Sequence, residues 1–407
     1  MARVSRRIGD NRFGPIVPVL NMQPLRPESA KELSQALQEA TAAGHSIVLR
    51  GAGSKDAMGG PVPAADVDLR LDKLSGVLQY EPRDLTVSVA AGTPWRELSS
   101  ILAAEGQMLA LDPPCAESAT VGGVVASNSS GPRRRLFGTA RDMVIGMTLA
   151  TLDGRVVETG GMVVKNVAGL DTQKALIGSF GTLAAMAAVN FRLAPLPEAS
   201  RTFLIGCRSA AECAAARDRI LTSVLQPTAL DVLNPAAVRL CGLNAVGLHD
   251  FVLAVGAGAS AAVLARYGRE LAGAQALDGQ PEQAFWTMIR EFACVWVNGF
   301  PMRAIVRVGH PMRALADVLN SAPGACVARA GSGVSYLAFD SPQALGEWML
   351  ETAAMEWSRV VEWSGDEVRA AVELWPDCGG DFSVMERLKL LFDPQRRLNA
   401  GRLYGRL

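Results

Sequence analysis

An apolar strand that opens straight into a glycine turn is the feature that narrows the options for this chain furthest. Ile47-Val48-Leu49 reads as a short buried strand, and Arg50-Gly51-Ala52-Gly53-Ser54-Lys55 follows it directly. Glycine lets successive backbone N–H groups converge and lets a ligand approach the main chain closely. Such a nest suits an anion, a pyrophosphate above all, with Arg50 or Lys55 as counter-charge. A plain strand–turn carries the same residues, so the segment alone leaves both readings open.

A second glycine cluster favours the ligand. Asp112-Pro113-Pro114 leads to Ser118-Ala119-Thr120-Val121-Gly122-Gly123, and then to Ser127-Asn128-Ser129-Ser130-Gly131. The run is too polar for a core and too glycine-rich for a helix, so it is expected as backbone wrapped around a large polar ligand. Its Asn and Ser side chains supply hydrogen bonds, and Gly122-Gly123 permit contact with a flat ring. The competing reading is a long surface loop, which is uncommon between well-patterned strands.

At 407 residues the chain exceeds what one core usually spans, and two domains are expected. Acidic and basic residues balance at 40 each, so no global field draws in nucleic acid or an anionic membrane. Arg133-Arg134-Arg135 is the densest basic patch and reads as a solvated loop. Cys115, Cys207, Cys213, Cys241, Cys294, Cys326 and Cys378 are scattered without a CxxC pair, and their odd number argues against a disulfide framework. They read as small buried residues of a reducing compartment. Iron–sulfur ligation needs clustered thiolates, which the spacing does not offer. His45, His249 and His310 show no metal spacing, and no metal is expected. Arg3, Arg6, Arg7 and Arg12 precede no apolar stretch of the secretory type, and no apolar run reaches membrane-spanning length. The expected location is cytoplasmic, with docking on the inner face of a membrane left open.

Along the chain, residues 1–22 read as a loose arm. Pro27-Glu28-Ser29 opens a helix with apolar positions Leu33, Ala36, Leu37 and Ala40, ended by Gly44. Leu85–Val89 alternates as a strand. Thr93 then reads as a cap, with Pro94 as the first residue of a helix burying Leu98, Ile101 and Leu102 and closed by Gly106. Val144–Leu152 and Arg155–Glu158 form a hairpin about Asp153-Gly154. Ile177–Leu183 feeds a strand running to Leu193, and Pro195-Leu196-Pro197 marks a domain boundary. Strands Phe251–Val255, Arg303–Val308 and Val334–Phe339 each precede a helix, which predicts one antiparallel sheet covered by helices. A last helix spans Phe382–Phe392, and the tail after it packs back on the first domain. Gly256-Ala257-Gly258-Ala259-Ser260-Ala261 matches a relaxed dinucleotide fingerprint, but no second parallel βαβ unit surrounds it, so it reads as a chance match.

Together, Arg50–Lys55, Ser118–Gly131, Val164-Lys165-Asn166-Val167-Ala168-Gly169-Leu170-Asp171, Ile177–Leu183 and the closing Phe392-Asp393-Pro394 and Leu398-Asn399-Ala400-Gly401-Arg402 resemble the FAD-binding family of vanillyl-alcohol oxidase, D-lactate dehydrogenases and glycolate oxidase. Within it the chain is most similar to the FAD-binding subunits of glycolate oxidase (glycolate dehydrogenase). The resemblance implies an α+β fold: a two-part FAD-binding domain of the vanillyl-alcohol oxidase type over 23–197, a smaller α+β cap over 198–375, and a C-terminal segment, 376–407, packed on the FAD domain. It implies FAD bound without a covalent link, since neither loop holds a histidine. The site residues it implies are Arg50, Gly51, Ala52, Gly53, Ser54 and Lys55 at the pyrophosphate. Pro113, Ser118, Thr120, Gly122, Gly123, Ser127, Asn128, Gly131, Lys165 and Gly178 follow along the remainder of the cofactor.

The chain departs from the family's catalytic members. Where these carry histidines in a glycine-rich motif of the second half, the corresponding run here is Ala328-Arg329-Ala330-Gly331-Ser332-Gly333-Val334-Ser335-Tyr336. Oxidising a 2-hydroxy acid needs a base for the hydroxyl proton and a cation for the carboxylate. Arg329 and Tyr336 are the residues at hand, and no catalytic residue is assigned. Phe180 stands where many relatives have Glu. The resemblance implies one subunit of a complex in which electrons pass from glycolate or another small 2-hydroxy acid through flavin to an iron–sulfur subunit and a quinone-type acceptor. A larger FAD-containing subunit would hold the main substrate site. The alternatives are a self-sufficient FAD-dependent dehydrogenase and a non-catalytic, FAD-holding assembly subunit.

Overall fold

In the computed structural model, which describes residues 23–162, 171–243, 247–248, 250–405 and 407, the first helix is Ala30–Ala42. Ser29 caps it by accepting the N–H of Glu32 at 3.1 Å, and Glu32 reaches back to the N–H of Glu28 at 2.9 Å. Gly44 stops it at φ +72°. Leu33 and Leu37 are wholly buried on its inner face, each contributing about 1.5–3 kcal/mol by leaving water. The helix leads into strand Ile47–Arg50, which pairs in parallel with Val67–Arg70.

A five-stranded antiparallel sheet follows, in the order Val77–Glu81, Thr86–Ala90, Ala185–Arg192, Val144–Ala150, Val156–Gly160. The hairpin about Gly154 is the expected one. The helix after Thr86–Ala90 is Trp95–Ala104, with Pro94, not Thr93, at its N-cap. Thr93 is fully buried, and its hydroxyl is committed to the Ala90 carbonyl at 2.7 Å and the Gly76 N–H at 2.9 Å. Tertiary partners therefore outbid the local cap. One core cluster joins this sheet to the first helix.

The second half is an eight-stranded antiparallel sheet. Its order is Gln275–Leu277, Ala199–Cys207, Phe251–Ala259, Ala229–Leu233, Cys326–Arg329, Val334–Phe339, Ala304–Gly309, Ser358–Ser364. Successive residues such as Phe203 and Leu204, or Leu253 and Ala254, fall in different core clusters, so both faces are covered. One face carries the helices Ala210–Leu221, Leu315–Ser321 and Pro342–Glu351. The other carries the long helix Gly279–Val297 and receives Met58 from the first half. The decoy glycines lie inside strand Phe251–Ala259, where a Cβ on Gly256 would come within 2.9 Å of Trp286 and one on Gly258 within 3.0 Å of Pro197. They make room for packing and not for a nucleotide.

The halves are stitched through the backbone. Gly59 N–H donates to Glu362 at 3.0 Å, and Ser364 N–H to Ala57 at 2.9 Å. The final helix is Phe382–Phe392, as read from the sequence. Beyond it the tail runs along the free edge of Ile47–Arg50, with Leu398 bridging Ile47 in parallel. A buried ion pair fixes the turn: Lys389 Nζ meets Asp393 at 2.7 Å and also donates to the Thr182 and Leu398 carbonyls.

Candidate functional site

The strand Ile47–Arg50 ends in a turn whose glycine positions are sterically required. A Cβ on Gly51 would lie 2.1 Å from Thr120 Oγ1, and Gly53 sits at φ +77°. The N–H groups of Ala52, Gly53, Ser54 and Lys55 find no acceptor among the described residues. Four adjacent unpaired amides are rare in a folded chain and form an anion-binding concavity. They border an open cleft also lined by Thr120, Gly122, Gly123, Ser127, Phe180, Asn399 and Arg402. Its glycine walls and free amides fit a dinucleotide such as FAD.

Neither sequence-proposed counter-charge is a free cation over the nest. Arg50 is engaged by Asp56 at 3.1 Å and Asp68 at 3.5 Å. Lys55 donates to the Pro114 carbonyl and lies 5.5 Å from the ring centre of Trp363, and burial lowers its pKa. Arg402, which the sequence reading left out of the site, holds the turn from behind. It donates to the carbonyls of Gly60 (2.7 Å), Lys55 (3.1 Å) and Asp56 (3.3 Å) and stacks 5.4 Å from Phe180. Burial pulls its pKa down to about 10, against the opposing pull of Asp56. Asn399 accepts the Leu49 N–H at 2.8 Å and donates to the Leu49 and Phe180 carbonyls at 3.1 and 2.8 Å. The closing Leu398–Arg402 motif was the sequence signal for both residues.

The second glycine cluster corrects an expectation. Val121–Ala126 is a helix, capped by Thr120, and Val121, Gly122, Val124 and Val125 are buried. Gly122 is there because the helix start presses on Ala91, whose oxygen would lie 3.0 Å from an added Cβ. Ser127, Ser129 and Ser130 are buried as well. Ser127 satisfies itself through the Gly123 carbonyl and the Ser129 hydroxyl, each at 2.7 Å. Thr120, Gly122, Gly123 and Ser127 line the cleft, as do all of Arg50–Lys55. Asn128 and Gly178 line an adjoining cavity. Ser118 is exposed, and Pro113 and Gly131 sit behind the wall, with Gly131 pressed against Asp112. Lys165 lies outside the described residues.

The adjoining cavity, with about 1260 Å³ of empty space, lies between the two halves and shares Ser127 and Phe180 with the cleft. Arg134, Arg290, Arg307, Arg329, Tyr336 and Glu362 face it. The arginine patch is thus no solvated loop: Arg134 enters this cavity, Arg133 pairs with Asp112 at 3.3 Å, and Arg135 packs on Gly331. Arg307 pairs with Glu362 at 3.2 Å, which raises its pKa. Arg329 is held by fully buried Asp231 and lies 5.4 Å from the Tyr336 ring. Burial raises the Tyr336 phenol, so it stays protonated at neutral pH. No histidine lines either space among the described residues. His310 instead donates from Nδ1 to the Pro311 carbonyl at 3.0 Å, so Nε2 accepts from Ser335 at 2.9 Å.

Folding also gathers cysteines that are remote in sequence. Cys115 and Cys294 come together beside Glu291, so the thiols are less scattered than their spacing suggests. Both are free thiols, and the hydrogen bond between them lowers the Cys115 thiol pKa and raises that of Cys294. Cys207 and Cys213 form a second pair.

Residues 24–160 match the family model described as an FAD binding domain. The chain is 32% identical to the glycolate oxidase subunit GlcE of Escherichia coli (strain K12) over 266 residues, which cover 64% of this chain and 67% of that protein. It is 28% identical to the glycolate oxidase subunit GlcD of Bacillus subtilis (strain 168), covering 57% of this chain and 49% of that one. It is also 32% identical to the D-lactate dehydrogenase of Archaeoglobus fulgidus, covering 43% and 39%. The chain therefore spans about half or less of the latter two relatives. Among solved structures, alkyldihydroxyacetonephosphate synthase superimposes with a TM-score of 0.70 at 16% identity, over 92% of this chain and 75% of the other, a likeness of fold. No helix among the described residues is long and apolar enough to cross a membrane.

Proposed function

Because this chain belongs to the FAD-binding family of glycolate oxidase subunits and D-lactate dehydrogenases, we propose that it is the FAD-holding subunit of a complex that oxidises a small 2-hydroxy acid, glycolate first. The observation that carries the reading is the row of four unpaired amides, Ala52 to Lys55, on a glycine-walled cleft. Those amides and Thr120 would hold the pyrophosphate, while Gly122, Gly123, Ser127, Asn128 and Gly178 would border the remainder of FAD. Binding is non-covalent, since no histidine or cysteine lines either space among the described residues. When bound, FAD supplies the acceptor for the hydride of the acid.

The arginines of the adjoining cavity suit a substrate carboxylate. Tyr336, held protonated, is a hydrogen-bond donor to the acid and not a base. The main substrate site is therefore assigned to a larger flavoprotein partner, and electron relay to an iron–sulfur partner and a quinone-type acceptor. Each close cysteine pair here offers two thiolates, where a cluster takes four. The assembly is read as cytoplasmic, with docking on the inner face of a membrane left open.

A second reading, a self-sufficient dehydrogenase, is favoured by Glu362. It is the one carboxylate among the described residues that line the cavity, with Oε2 ion-paired to Arg307 at 3.2 Å but making no hydrogen bond, and is the candidate to take a hydroxyl proton. Anaerobic addition of glycolate or D-lactate to the purified protein separates the two. The complex reading expects a flavin band that persists alone and bleaches once the larger flavoprotein subunit is added. Bleaching of the isolated chain, lost in E362Q, moves turnover here; a folded chain that takes up no FAD overturns both.

A further inference from the structure

Cys115 follows the Pro113-Pro114 turn of the first half, and Glu291 and Cys294 share one face of helix Gly279–Val297 in the second. One ligand atom of each lies within 4.8 Å of the others, and Cys294 Sγ is 3.1 Å from Glu291 Oε2. Zinc takes thiolates at about 2.3 Å and carboxylate oxygens at about 2.0–2.2 Å, so ligands of one tetrahedral ion sit roughly 3.5–4 Å apart. The trio, with all three atoms within 4.8 Å of one another, lies close to that range.

We propose that Cys115, Glu291 and Cys294 form a binding site for a thiophilic divalent cation, Zn²⁺ by chemistry, that clamps the two halves of the molecule together beside the cofactor cleft. Two soft thiolates and a carboxylate select such an ion over Mg²⁺ or Ca²⁺, and the fourth position stays with solvent. The carboxylate is already oriented by its surroundings: Oε1 accepts from Arg290 Nε at 2.9 Å, and Oε2 accepts the Cys115 N–H at 2.5 Å. Binding displaces the two thiol protons to water. A dication with two thiolates and one carboxylate carries a net negative charge, which Arg290 and nearby Lys55 offset. The site is half-buried, so an ion has a way in.

The test uses the full-length, flavin-loaded protein, reduced, stripped with a chelator and titrated with Co²⁺. Expected are saturable ligand-field absorption to the red of the flavin bands, its loss on adding Zn²⁺, and protection of two thiols from dithiodipyridine. C294S and C115S should bind at least about tenfold more weakly, with C213S as a control that binds normally. Folding of each variant is checked by circular dichroism and FAD retention. Absence of the cobalt band in the wild type overturns the proposal. So does a band unchanged in folded C294S, or a disulfide between Cys115 and Cys294 in freshly isolated protein in place of metal uptake.

Discussion

Asn399→Ala should uncouple the C-terminal turn from the cofactor cleft. The residue is buried and makes three hydrogen bonds, two to Leu49 and one to Phe180. At about 0.5–1.5 kcal/mol net for each, their loss comes to about 1.5–4.5 kcal/mol. Asn399 also sits at φ +44°, in the left-handed region, where alanine adds about 1–2 kcal/mol that asparagine tolerates better. The sum is about 2.5–6.5 kcal/mol, a large share of the stability of a typical domain. Asn399→Gly separates the two contributions, since glycine is free of the backbone strain but not of the lost bonds. Urea titration followed by tryptophan fluorescence reads stability, and quenching of free FAD fluorescence reads affinity. Since Leu49, Phe180 and Asn399 all line the cleft, FAD should bind at least about tenfold more weakly to both variants, equivalent to about 1.4 kcal/mol. An alanine variant within about 0.5 kcal/mol of wild type, with unchanged FAD affinity, would falsify the idea that the tail completes the site.

Gly51→Ala drives a methyl into Thr120, so the folded variant should lose FAD on gel filtration; adding Thr120→Ala should restore part of the binding. Burial lowers the His310 pKa below its ordinary value near 6.5, so the unfolded chain binds the extra proton first as pH falls. Stability should accordingly decline from pH 6.5 downward, and thermal melts of His310→Gln should show a shallower decline over that window; parallel curves would refute the assignment.

The parts of the site built from one short segment were legible in the sequence. Ile47–Lys55 declares strand, turn and free amides by local chemistry alone, and the final helix is bounded by its own pattern. The parts built by approach of distant segments were not. Gly122-Gly123 reads as loop because helix propensity disfavours glycine, yet close contact with Ala91 and a Thr120 cap override it. Thr93 looks like a cap until Ala90 and Gly76 claim its hydroxyl. The cavity arginines come from separate strands and helices, and no periodicity marks Arg134, Arg290 and Arg307 as neighbours. Cys115 and Glu291 are 176 positions apart, so spacing rules for metal ligands pass over them.

The strand that carries the nest and the turn that locks it are separated by 350 positions. At roughly 5–20 residues per second of synthesis, the ribosome needs about 20–70 s to deliver the second after the first. Throughout that interval the edge of Ile47–Arg50 awaits its partner. Flavin capture becomes a late event in the life of each polypeptide, and prematurely terminated copies should emerge without pigment.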